Sequence, residues 1–131
     1  MREIIVTMHL LTYYQLLVIG TGAIVWGIIL LRRKQLFDDG YKAVLYAVFG
    51  TGLMQIVYGG ILYLFFGCRP NNMLHLVYGL IVIAAIPVAF TYSSESLAER
   101  RDLFIFTFTA FAIVAAGLRA FGTGMGGYCP A

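Results

Sequence analysis

Two histidines, His9 and His75, are the only ones in a chain of 131 residues, and both lie inside long apolar stretches. Each imidazole can offer one unprotonated ring nitrogen to a metal. Two of them approaching from opposite sides could ligate a single haem iron on both faces, so His9 and His75 are the candidate metal ligands. Gly79 follows His75 by one helical turn and would leave space for the edge of a porphyrin. Arg69 and Arg119 are candidates to pair with the propionates, because the guanidinium fork matches a carboxylate. Tyr13, Tyr78 and Gln55 could add hydrogen bonds around the ligands.

Depth is what groups these residues. At about 1.5 Å per residue, His75 stands roughly 25 Å above Tyr92, Arg119 about 24 Å above Leu103, and Gln15 about 24 Å above Leu31. His9 comes out higher, at about 33 Å, which leaves an offset of about 8 Å between the two imidazoles before tilt of the longer first helix is counted. Polar side chains inside a membrane are costly and face the bundle interior. The same residues therefore admit two other ligands. A quinone needs a hydrogen bond to each carbonyl, which His75, Tyr78, Gln15 and Arg119 could supply. A chlorophyll-type pigment needs one histidine only.

The elements that must position these groups are four apolar runs, Ile4–Leu31, Ala43–Phe66, Met73–Tyr92 and Leu103–Phe121. Each reaches or approaches the roughly 20 residues required to cross about 30 Å of hydrocarbon. Backbone amides in lipid must be satisfied internally, by helices or closed barrels. Barrel strands alternate in polarity, whereas Leu74–Phe90 is apolar on every side apart from His75 and Tyr78. The expected fold is an all-α integral membrane protein, a single domain over residues 1–131. With 61% hydrophobic and 11% charged residues, no extramembrane core is left over.

Short connections make sequential helices antiparallel neighbours in an up-down bundle, which places the first and third spans diagonally across the core. Arg32, Arg33, Lys34, Lys42, Arg100 and Arg101 fall in the loops of one side, against Arg2 and Arg69 on the other. Positive residues in short loops mark the cytoplasmic side, so both termini are expected outside, in a bacterial cytoplasmic membrane. The charge of +3 is then a topology signal with some attraction to anionic lipid, and no nucleic-acid partner is expected. The first span begins after Arg2, but it is long and lacks a small-residue cleavage site, so it is expected to be retained.

Cys68 and Cys129 lie outside the spans, on the same expected outer face, and are expected to form a disulfide. That bridge would tie the Gly-rich segment Gly122–Tyr128 to the bundle. Gly20, Gly22, Ala23 and Gly27, like Gly52, Gly59 and Gly60, and Ala112, Ala116 and Ala120, provide surfaces for close helix approach. Pro87 removes one backbone donor inside the third span. Tyr41, Tyr92 and Tyr128 suit interfacial positions, and Phe104, Phe106, Phe108 and Phe111 cover more than one side of the fourth span.

Paired histidines in the outer half of a four-helix bundle, His9 and His75 here, resemble the cytochrome b561 and haem A synthase type of proteins. The resemblance implies a b-type haem and a role in electron transport, and extends to the Cys68–Cys129 pair. Those families use two haems or further histidines, and this chain has no others. The segment Gly67–His75 is similar to a loop of small bacterial membrane proteins, which implies a compact loop entering a helix. The expected function is a small membrane subunit of a respiratory or photosynthetic electron-transport system. The alternative is a structural accessory subunit without cofactor, packed against other membrane subunits or another copy of itself. A transporter or enzyme is disfavoured, since no acidic residue lies inside a span and no nucleophile–base pair is legible.

Overall fold

In a computed structural model, residues 1–130 are described. The chain is all-helical: α1 Arg2–Arg32, α2 Asp39–Leu64, α3 Leu74–Tyr92 and α4 Arg100–Gly124. All four helices are long and apolar enough to cross a membrane. α2 and α4 begin ahead of the apolar runs at Ala43 and Leu103, because their first turns are built from polar capping residues. Asp38 caps α2 by accepting from the Tyr41 amide at 2.6 Å. Glu99 and Asp102 form a reciprocal capping box at the start of α4. The Asn72 side chain accepts from the Leu74 amide at 2.9 Å where α3 begins. Gly67 adopts φ +66° just after α2, a left-handed conformation that suits glycine. α3 continues through Pro87 without interruption.

α1 packs against α2 and α4, and α3 packs against α4; the α2–α3 seam is thinner, and the pairs α1/α3 and α2/α4 scarcely meet. One end of the bundle gathers the start of α1, the α2–α3 loop and the C-terminal tail. There Cys68 and Cys129 are joined by a disulfide, Arg69 and Tyr128 exchange backbone hydrogen bonds of 2.7 and 2.9 Å, and Arg2 donates to the Pro130 carbonyl. At the other end Arg100 donates to the Leu31 carbonyl at 2.8 Å, and the Tyr41 hydroxyl meets that of Thr107 at 3.2 Å.

The two halves differ in packing. Tyr41, Leu45, Val48, Leu103, Phe106, Ala110 and Ile113 are almost wholly inaccessible and fill the half nearer the Arg100 end. Gly27 allows α1 to lie against Tyr41 and Thr107, which a side chain there would strike. Buried packing stops at the level of Leu16, Leu62 and Val82. Beyond it, toward the disulfide, the bundle is hollow. Its outer surface is apolar all round, with Val18, Leu80 and Phe108 exposed at 73%, 62% and 73%, as a lipid-facing surface requires.

Candidate functional site

The hollow is a cavity of about 590 Å³ reached by all four helices and the tail, with Leu16, Leu62 and Val82 as its floor. That volume lies within the range of small-molecule sites. His9 from α1 and His75 from α3 both line it, with ring centroids 6.2 Å apart and planes inclined at 67°. The offset of about 8 Å read along the helix axes therefore does not keep the two imidazoles apart.

The histidines are held differently. His75 Nδ1 lies 2.6 Å from the Ala120 carbonyl. A carbonyl only accepts, so Nδ1 carries the proton and Nε2 is left with a free lone pair. A hydrogen bond of this kind fixes the tautomer and orientation of metal-ligating histidines. His9 is steadied through its backbone: Gln55 Nε2 donates to the His9 carbonyl at 2.7 Å and to Thr12 Oγ1 at 2.8 Å. Its Nδ1 is buried without a hydrogen-bond partner among the described residues, which costs free energy unless a ligand or water is present.

Glycines shape the space around both rings. A Cβ at Gly59 would stand 3.2 Å from His9 Cε1, and one at Gly124 only 2.7 Å from His75 Nδ1. Gly60 also lines the cavity with nothing near it, and Gly79 lines it beside Ile56, so the walls are low on the α2–α3 side. Tyr13 lines the cavity and stacks on Phe121, with centroids 4.8 Å apart. Arg69 sits at the rim with its guanidinium 3.9 Å above the Tyr63 ring. The disulfide forms part of the wall as well.

His9, His75, Gln55, Tyr13 and Arg69 are thus brought to one cavity. Gln15, Tyr78 and Arg119 are not among its lining residues. Gln15 and Arg119 are exposed, and Tyr78 is half-buried against the packed core. The set His75, Tyr78, Gln15 and Arg119, which a quinone would use, is accordingly not gathered in one place. Residues that reasoning from depth passed over are Gly59, Gly124, Phe121 and the Ala120 carbonyl. Gly117, Ala120, Phe121 and Gly124 recur at the i, i+3, i+4, i+7 spacing of one helix face, a signal present in the sequence.

The cavity fits a flat, largely apolar group held from both sides. His9 and His75 are the residues that would hold such a group if it were a haem, which would supply one-electron chemistry there. The two rings lie in a T-shaped arrangement, with centroids 6.2 Å apart. No cluster of three or more His, Cys, Asp or Glu suited to a bare metal ion occurs among the described residues. Comparison with protein-family models, with characterised proteins and with solved structures finds no match to the chain.

Proposed function

We propose that this chain is an electron-transfer protein of a bacterial cytoplasmic membrane, holding one b-type haem between His9 and His75 near the outer leaflet. In this reading the four helices cross the bilayer in up-down order with both termini outside. The loop charges support that orientation, with six basic residues on one side and Arg2 and Arg69 on the other. The observation that carries the reading is the 6.2 Å separation of two imidazoles on the wall of one cavity. Haem bound in this way supplies reversible one-electron transfer, at a potential set by its axial ligands and surroundings.

The chain's own residues have definite tasks. The Ala120 carbonyl orients His75, and Gln55 fixes the stretch of α1 that bears His9. The walls are largely apolar, and the disulfide ties the tail across one end of the cavity. Arg69 provides a positive charge at the rim for a propionate. The test is spectroscopic. His9→Ala and His75→Ala should each abolish the low-spin absorption of the reduced and oxidised protein while leaving helix content unchanged. Retention of that spectrum in either variant contradicts ligation by both.

A second reading, an accessory subunit without cofactor, is favoured by the face of α4 that exposes Phe104, Phe108 and Phe111 at 55%, 73% and 61%. That face would dock on another membrane subunit or on a second copy of the chain. A chlorophyll-type pigment in the cavity is a separate alternative, which would require only one of the two histidines.

A further inference from the structure

A second hollow lies at the opposite end of the molecule, on the outside of the α3–α4 seam, with a volume of about 620 Å³. Its floor is made of small residues, Ala85 and Ala89 from α3 and Ala112 from α4. Ile105 and Phe108 form a wall, and Tyr92 and Arg101 stand at its mouth. The α4 residues from Arg101 to Ala112 span about 16 Å at 1.5 Å per residue. That is about half of a 30 Å hydrocarbon layer, the depth of one leaflet. The groove is thus as long as one acyl chain and ends where a headgroup would begin.

Of the charged residues near this end, Arg101 lines the groove, and Glu99 stands next to it outside the lining. Arg101 and Glu99 approach to 3.5 Å, with side chains 61% and 58% exposed. This is looser than a charge-assisted hydrogen bond of about 2.7–2.9 Å, so both groups keep capacity for other partners. Two neighbouring charges are engaged elsewhere, while Glu95 in the same loop is exposed. Arg100 donates to the Leu31 carbonyl and lies over the Phe104 ring. Asp102 is buried and accepts from Ser94 and from the Glu99 amide. One exposed cation beside one exposed anion complements a zwitterionic headgroup that has a phosphate and a primary ammonium. A choline headgroup has no N–H to donate to Glu99, and a glycerol headgroup has no cation.

We propose that the α3–α4 groove binds a single glycerophospholipid of the phosphatidylethanolamine class. Its phosphate sits on Arg101, its ammonium on Glu99, and one acyl chain runs along the alanine floor. The proposal rests on the membrane reading alone and is independent of any cofactor between the histidines.

The full chain, extracted into detergent and reconstituted in vesicles holding equal amounts of ethanolamine, choline and glycerol phospholipids, is re-isolated, and retained lipid is counted by native mass spectrometry. One ethanolamine lipid should be retained, roughly two- to five-fold over either competitor, the range set by an exposed ion pair. R101Q should lower its retention by a similar factor. E99Q, which keeps an acceptor for the helix cap, should remove the preference for ethanolamine over glycerol headgroups. A112F should abolish retention of all three by filling the groove. Equal retention of the three lipids by the unaltered protein, a preference for the glycerol headgroup, or retention that ignores R101Q and A112F overturns the proposal. A chain that stays soluble without detergent would instead contradict the membrane reading on which it rests.

Discussion

His9 and His75 share a cavity but are supported in opposite ways, one through its ring and the other through its backbone. The His75 ring is locked from two directions, by the Ala120 carbonyl and by the bare backbone of Gly124. Adding a methyl group at Gly124 places a carbon 2.7 Å from His75 Nδ1, closer than van der Waals contact allows, and must push the ring off its acceptor. Gly124→Ala should therefore cost about 1–3 kcal/mol, although alanine is the better helix former. Gly122, two residues earlier on the same helix, has nothing within 4 Å of an added Cβ. Gly122→Ala should be neutral or slightly stabilising by up to about 1 kcal/mol. Thermal unfolding of the two variants in detergent checks the pair, and equal effects would mean that the His75 contact does not matter.

At the scale of the helices, the start of α4 carries an unusual burden. Asp102 is fully buried, and its carboxylate accepts from the Ser94 amide at 2.8 Å, the Ser94 hydroxyl at 2.5 Å and the Glu99 amide at 3.1 Å. It closes the α3–α4 loop and caps α4 at once. Asp102→Ala leaves buried donors without a partner, and should destabilise the protein by about 2–3 kcal/mol. Asp102→Asn, which keeps one acceptor, should recover part of that loss in the same unfolding measurement.

The helices themselves were legible in the sequence, because a run of about 20 apolar residues has few other uses. Their ends were less so: the apolar runs begin at Ala43 and Leu103, while the helices begin at Asp39 and Arg100 under polar caps. The candidate site was legible in part. Depth along a helix can be counted from its ends, and it grouped His9 and His75 with Gln15 and Arg119, while Gln55 and Tyr13 entered only as polar residues able to hydrogen-bond around the ligands. Direction around α1 was not used. Gln15 is six residues from His9, about 600° of turn, and so lies far around α1 from it, whereas Tyr13, four residues away, lies on nearly the same face. The Ala120 carbonyl had no signal of its own, since every residue has one.

For the whole molecule, the division into a packed half and a hollow half explains why the disulfide stands where it does. The hollow half lacks the side-chain burial that holds the other end together, and the Cys68–Cys129 bridge spans it from loop to tail. With a sequence separation of 61 residues, the bridge should contribute about 4 kcal/mol on the chain-entropy account. Cys68→Ser with Cys129→Ser should lower the unfolding temperature and loosen the tail. In the native protein both cysteines should resist alkylation until a reductant is added, as read by intact mass.

We propose that the hollow half holds a haem between His9 and His75. The visible absorption spectrum of the protein purified from its native membrane, recorded oxidised and then reduced, tests it most directly. A six-coordinate, low-spin b-type spectrum, at one haem per chain, is the expected result. A preparation with no haem absorption, or a spectrum of five-coordinate, high-spin haem, would contradict ligation by the two histidines.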